Sequence, residues 1–211
     1  MDIHDRLVKN NVRSLSSEVL TMARPREFDT DEALAAITDV FWNKGYDGAS
    51  MQDLVAATGL KKGSLYAAFG DKRRMYHAAL ARYDQQQISA AVALMREPGS
   101  GPTRLKRLFR TVLNGARVDG DARGCFLCNA ATDQATTDAA AAEALRKSTG
   151  RLETAIVEAL ADTPYGRRQT ARRGKARELL GLYFGLRVMA KMGLPSAALE
   201  EAVGAAMAEL A

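Results

Sequence analysis

Residues that build metal and redox centres are scarce in this chain, which carries two cysteines, two histidines and one tryptophan among 211 residues. Cys125 and Cys128 cannot lay out a disulfide framework, and a chain long enough to bury a real core needs none, so a reducing compartment is expected. One helical turn apart, they are too few for a zinc site, and His4 and His77 stand at no ligand spacing to them. No metal and no cofactor are expected. No glycine-rich phosphate loop follows a strand-like run, and histidines are too few for the common acid–base pairs, so the chain reads as a non-enzyme. A thiol oxidoreductase built on Cys125 and Cys128 is the enzyme alternative, but no adjacent strand supports a thioredoxin-like unit. Also missing are a run of about twenty uncharged apolar residues and an apolar N-terminal block with a small-residue cleavage site. No membrane association is expected, and the location read from this is cytoplasmic.

What is present is helical texture. The five prolines, Pro25, Pro98, Pro102, Pro164 and Pro195, fall between segments whose apolar residues recur three and four apart, and no alternating strand pattern or Asn-Gly hairpin signal stands out. An all-α protein is expected. Helices are predicted over residues 31–44, 50–57, 61–68, 71–96, 103–117, 125–135, 138–162, 170–192 and 196–210. Asp29 can cap the first, with Glu32 closing a capping box and Gly45 giving a left-handed stop, Ser50-x-x-Asp53 forms another capping box on the second, and Asp71 caps the fourth. Beyond the breaker cluster Glu97–Pro102 the helices become longer and alanine-rich. The expected organisation is a small domain over 22–70 and a larger one over 71–211, with 71–96 as the connecting helix. Residues 1–21 read as an extension. It is either an artefact of an upstream start codon before Met22 or a frayed amphipathic helix carrying Val8, Val12, Leu15 and Val19.

A formal charge of +5 and a pI near 9.3 permit a nucleic-acid partner without requiring one. Distribution says more: Lys61, Lys62, Lys72, Arg73 and Arg74 lie within fourteen residues, opposed only by Asp71. They sit inside Gly45–Met75, where two short helices meet at a tight Gly59 turn. Leu54 and Val55 on the first helix, Leu60 in the turn, and Leu65 and Phe69 on the second share one apolar face, and Leu34, Ile37, Phe41 and Trp42 are expected to complete a three-helix core. The outward N-terminal end of the second helix then gathers Lys62, Gly63, Ser64 and Tyr66. Free amides, a hydroxyl, a phenol and an ammonium together suit a phosphate, and Gly63 lets the backbone come close to a strand. A helix pair of this form lays its second helix in the major groove of double-stranded DNA.

Ser50 at the start of the first helix, then Gly59, Leu60, Gly63, Ser64, Leu65, Tyr66, Phe69 and Lys72 in register, followed by a long helix, resemble the N-terminal signature of the TetR/AcrR family of repressors. The resemblance covers about fifty residues, Asp29 to Leu80. It implies a ligand-released repressor acting as a homodimer on a palindromic operator, with an unknown small-molecule effector. It implies that Lys62 and Gln52 approach base edges while Ser50, Ser64, Tyr66 and Lys72 hold phosphates, with Lys61 and Gly63 beside them. Each has a plain reading as well: Ser50 as a cap, Tyr66 as half-buried packing, Lys72 as solvated. Ala67 and Ala68 depart from members with an aromatic residue or histidine there, which leaves the operator sequence open. Arg24 and Arg26 form a basic arm that can touch the minor groove or phosphates.

In the larger domain, the stripes Leu179, Leu182, Leu186, Met189 and Leu180, Phe184, Val188 make one helix apolar on two sides. One stripe can face its own domain and the other a second subunit. The expected dimer interface is Leu152, Ile156, Leu180, Phe184 and Val188, the alternative being that both helices are central in one core. Tyr83, Phe109, Phe126, Cys128, Tyr183 and Phe184 are candidates for an apolar ligand pocket, or else plain core. The run Arg123-Gly124-Cys125-Phe126-Leu127-Cys128-Asn129-Ala130 is similar to one found in many family members. A thiol-based redox or electrophile sensor using Cys125 and Cys128 is the alternative to a non-covalent effector, against the simpler reading of cysteine as a small apolar residue.

Overall fold

The computed structural model describes residues 28–118 and 123–210, so the extension over 1–21 and the basic arm with Arg24 and Arg26 lie outside the described residues. Among the described residues all repeating structure is helical: α1 (Thr30–Gly48), α2 (Met51–Thr58), α3 (Lys62–Phe69), α4 (Lys72–Tyr83), α5 (Ser89–Leu94), α6 (Gly101–Val118), α7 (Phe126–Asp133), α8 (Ala139–Ala159), α9 (Gln169–Lys191) and α10 (Ser196–Ala208).

The small head is built by spacing. Ala33, Ile37 and Phe41, four residues apart on α1, are buried against Leu54 of α2 and Leu65 of α3. Asp29 caps α1, its carboxylate accepting from the Asp31 and Glu32 amides at 2.7 and 3.3 Å. Gly45, at φ 70°, breaks the helix as expected, although helical turns resume to Gly48. The break frees the Tyr46 amide, which donates to the Asp133 carboxylate on α7 at 2.7 Å. Trp42 departs from expectation. It is half-buried and turned away from the head core, with its ring 4.9 Å from Tyr83 and 6.3 Å from Phe126.

The connecting helix is one stack with a flaw in the middle. After α4 the single wide turn Asp84–Ile88 takes in an extra residue before α5 resumes. Arg151 of α8 braces it, donating to the Asp84 carboxylate at 2.5 Å and to the Ser89 hydroxyl at 2.8 Å. Beyond the connector, α6 starts two residues before the expected position. Gly101 allows it, because a Cβ there would lie 1.7 Å from the Ala159 carbonyl oxygen at the end of α8. The two amide bonds to the Asp162 carboxylate, 2.9 and 3.0 Å, hold that close approach.

Three of the five expected interface residues face the core of their own protomer: Leu180 of α9, and on α8 Leu152 and Ile156. Leu152 and Ile156 are fully enclosed in the core of their own protomer, leaving no area for a partner. Their side of α8 packs on α9, so the apolar stripe read as intersubunit is intramolecular. Replacing Ile156 by Ala should therefore cost about 2–5 kcal/mol of unfolding free energy, measured by urea titration.

Head and body are tied electrostatically as well. Asp138, 4% exposed, caps α8 through the Ala140 and Ala141 amides and accepts from Arg73 Nε at 2.9 Å and contacts His77 Nε2 at 2.7 Å, both on α4. The Arg73 hydrogen bond, opposed by burial and helped by the Ala141 amide and His77, holds its carboxyl well below the usual aspartate range. A depressed folded-state pKa gives stability that is present above the unfolded value, about 3.9, and lost as pH falls toward the folded one. Asp138→Asn should thus be less stable than the parent at neutral pH in urea unfolding, and the gap should narrow progressively as pH falls below about 4.

Candidate nucleic-acid interface

α2 enters on a complete capping box. The Ser50 hydroxyl accepts from the Asp53 amide at 3.1 Å and donates to Asp53 Oδ2 at 2.8 Å, while the Ser50 amide reaches the same oxygen at 2.9 Å. Lys44 adds a 2.6 Å ion pair, and its hydrogen bond, with the Ser50 amide and hydroxyl, brings the Asp53 carboxyl down to about 2. Since the Ser50 hydroxyl proton is already committed to Asp53, the plain capping reading of Ser50 accounts for it, and a phosphate would have to displace that bond. Gly59 then turns the chain at φ 67°, and its amide closes on the Val55 carbonyl at 2.9 Å.

α3 differs from α2 at its N-terminus. Lys61 stands at the cap position and makes no side-chain cap bond, so the first-turn amides have no internal acceptor from the cap side chain. Lys61, Lys62 and Gly63 are exposed, and the Ser64 hydroxyl is half-buried without a partner among the described residues. Tyr66 is 43% exposed, one of the few large apolar side chains left open, with the Lys62 ammonium 5.9 Å from its ring centroid. Gln52 on α2 is also exposed. Lys72, at the first position of α4, is partly covered and sits 4.5 Å from the centroid of the Tyr46 ring. Lys61, Lys62, Gly63, Ser64 and Tyr66 thus gather at one end of one short helix. Arg73, counted in the sequence among the basic residues of this region, is committed to Asp138 instead.

Gly63 has no internal explanation. A Cβ there would meet nothing within 4 Å. Glycine inside a helix costs roughly 0.5–1 kcal/mol relative to alanine, so a side chain at this position would be tolerated by the fold. Gly63→Ala should leave the melting temperature unchanged or raised, while a methyl group on the approaching surface weakens binding to duplex DNA in an electrophoretic titration.

A second concavity lies at the junction of head and body. A cavity of about 340 Å³ is lined by Trp42 of α1, Gln87 of the wide turn, Leu94 of α5, Val112 of α6, and Tyr183 and Arg187 of α9. Of the six residues expected around a ligand, Tyr183 alone borders it. Tyr83, Phe109 and Phe126 are core, at 2%, 0% and 1% exposure, and Cys128 and Phe184 do not reach its wall. Aromatic residues were the expected lining, whereas Tyr83 and Phe126 are consumed in edge-to-face contacts with each other and with Trp42 and Tyr76. Arg187, Gln87 and Trp42 were missed as pocket residues. Nothing in their spacing marks them, because the cavity joins segments more than a hundred residues apart.

Cys125 is buried at the start of α7 and accepts a 3.4 Å hydrogen bond from the Tyr83 hydroxyl, while Cys128 is half-buried. The Cys128 thiol's hydrogen bond, against the effect of burial, lowers the Cys125 thiol to about 6, with Arg187 and Tyr83 adding in the same direction. Cys128 is raised correspondingly by that bond and by burial. Groups of three or more metal-ligating side chains are absent among the described residues, and no described helix is long and apolar enough to cross a membrane.

The family model for bacterial regulatory proteins, tetR family, matches residues 33–79, from α1 through most of α4. An HTH-type transcriptional regulator of Bacillus subtilis, YezE, is 31% identical over 139 residues, 66% of this chain and 72% of that one. The HTH-type transcriptional repressor ComR of Escherichia coli is 36% identical over 110 residues, about half of each chain. Among solved structures, a cysteine-substituted form of the TetR family transcriptional regulator CifR, complexed with 26-bp double-strand operator DNA, is 30% identical. It superposes with a TM-score of 0.78, covering 89% of this chain and all of that one.

Proposed function

The chain belongs to the TetR family of bacterial transcriptional regulators, and from that membership we propose that it is a ligand-released repressor, a homodimer that reads a palindromic operator through α3. Residues 22–70 serve as the reading head and 71–211 as the sensing and dimerisation body, with 71–96 as connector. The observation that carries the reading is the N-terminal end of α3: uncapped, bearing two lysines, Gly63, Ser64 and an exposed tyrosine, and lacking any carboxylate of its own. That surface suits a phosphate backbone at its rim and a major groove beneath it. The relatives are transcriptional regulators, which favours a non-enzymatic role.

Tyr66, Ser64 and Lys72 are assigned to phosphates, and Lys62 and Gln52 to base edges. Tyr66→Ala and Lys72→Ala should each weaken binding to every duplex, and Lys72→Ala, which removes a cation, should also flatten the salt dependence. Lys62→Ala or Gln52→Ala should chiefly relax sequence preference, at about 1–3 kcal/mol for each bidentate pairing with a base edge that the truncation removes. Gel-shift titrations at several salt concentrations separate the two classes, and unchanged binding by the Tyr66, Lys72 double variant refutes the assignment. Selection of bound duplexes from a random pool should yield a palindrome.

For the dimer, α9 offers a face left over after its own core is packed. Leu179, Leu180, Tyr183 and Leu186 point inward, while Gly181, Phe184, Gly185 and Val188 fall on the other side. Val188 is 43% exposed, and a Cβ at Gly181 or Gly185 would meet open space, so a second helix could approach closely there. Val188→Asp should convert the protein to a monomer in sedimentation and lower operator affinity without a comparable loss of melting temperature.

A second reading rests on the lowered Cys125 thiol beside Cys128. In it, hydrogen peroxide takes two electrons and two protons from the pair, giving a disulfide and two waters, and DNA is released. If the protein with both cysteines replaced by Ser still lets go of DNA on peroxide treatment, that reading is wrong.

A further inference from the structure

Arg187 is a half-buried cation with no carboxylate beside it. Its guanidinium lies 4.9 Å from the Tyr183 ring centroid and donates from Nη2 to the Tyr183 hydroxyl at 2.8 Å. No carboxylate lies within ion-pair distance among the described residues, and Nε is enclosed with no hydrogen-bond partner. A guanidinium drawn partly out of water is ordinarily met by an anion. Arg187 opens on the 340 Å³ cavity at the domain junction, a volume within the range of small-molecule sites.

The walls around it are divided in chemistry. Trp42, Leu94 and Val112 present apolar surface, while Gln87, Thr111, Tyr183 and Arg123 join Arg187 as polar groups, the Arg123 charge being paired with Asp39. Gln87 reaches the cavity from within the wide turn Asp84–Ile88, so the irregularity in the connecting helix lies at the cavity wall. We propose that this cavity takes a small organic monocarboxylate, its carboxylate on the Arg187 guanidinium and its apolar body against Trp42, Leu94 and Val112. Such an acid is then the class of effector that frees the regulator from DNA, so the inference rests on the ligand-released reading.

The position gives the ligand a direct hold on the head. Trp42 belongs to α1, and its Nε1 donates to the Gly124 carbonyl at 3.2 Å, while the Arg123 guanidinium covers the same ring at 4.0 Å and pairs with Asp39 of α1 at 2.8 Å. A molecule seated against Trp42 pushes on this bracket between α1 and the body.

The chain's single tryptophan makes the test direct, because Trp42 lines the cavity and is the sole indole emitter. The intact, DNA-free protein is titrated with octanoate and benzoate, and in parallel with octanamide and benzamide, following Trp42 fluorescence. A saturable change with at least one of the two carboxylates is expected, with its matched amide weaker by about tenfold or more, the worth of one charge-assisted hydrogen bond. Arg187→Met should remove that preference and bring the carboxylate to the level of its amide.

Equal affinity for carboxylate and amide overturns the proposal, as does an unchanged preference in a folded Arg187→Met variant. No saturable response to either acid overturns it too. The carboxylate–amide comparison uses the parent protein, so it stands even where the variant does not fold. Because the readout needs no DNA, its failure is distinct from that of the repressor reading, which is probed separately by asking whether the same acids release a selected duplex. Tight carboxylate binding without release overturns the assignment of such acids as the effector, while failure to select any duplex overturns the repressor reading itself.

Discussion

The structure depends on an aromatic knot at the junction of head and body. Nearly half of the chain's aromatic residues meet there: Phe41, Trp42 and Tyr46 from α1, Tyr76 and Tyr83 from α4, and Phe126 from α7. Edge-to-face pairs of this kind contribute about 0.5–1.5 kcal/mol each beyond burial, but their larger effect is geometric. Rings that interlock from three helices cannot slide independently, so the orientation of α1, and hence of α2 packed on it, is coupled to α4 and α7. In a chain with so few aromatics, their concentration at one place makes head and body share a core.

Polar contacts surround that knot and point it. Asp133 takes the Tyr46 amide released by the Gly45 break, Asp138 takes Arg73 and His77, and Asp39 takes Arg123. All three carboxylates span head and body or their connector. The division of labour among cations follows from this: Arg73 and Arg123 are spent on holding the two parts together, while Lys61, Lys62 and Lys72 remain near the surface that the uncapped end of α3 creates. Basic residues that look equivalent along the chain therefore do different work.

The helix-turn-helix was legible because its signals are local. The Ser50–Asp53 box, the left-handed Gly59 and the Asp29 cap act within four residues, and the first two took the expected form, while Asp29 caps α1 without a return bond from Glu32. The all-helical fold was legible for the same reason. What could not be read is which apolar face meets which. Leu152 and Ile156 carry a stripe as suitable for a partner as for a core, and only the placement of α9 decides that they are core. Trp42 sits on the same helix as Phe41 yet faces the body, a choice made by Tyr83 and Phe126 far along the chain. Of the aromatic residues expected around a ligand only Tyr183 lines the cavity, whose distinctive group, Arg187, is brought there by a fold that the sequence does not display. One irregularity did leave a trace: buried positions on the connector run 75, 76, 79, 80 and 83, then jump five residues to Ile88 before resuming at 91, 92 and 95.

That jump marks one spare residue in the connector. The wide turn absorbs five residues where an α-turn holds about four, so deleting one of Gln85, Gln86 or Gln87 would return the segment to α geometry with Ala91, Val92 and Met95 still facing the core. What the deletion would take away is the bulge itself, and with it the spacing of Asp84 and Ser89 that the Arg151 brace spans. Elsewhere in the helix the same deletion would swing everything beyond it by roughly 100°. The connector is thus a geared shaft with one spare tooth, and the tooth sits at the cavity wall.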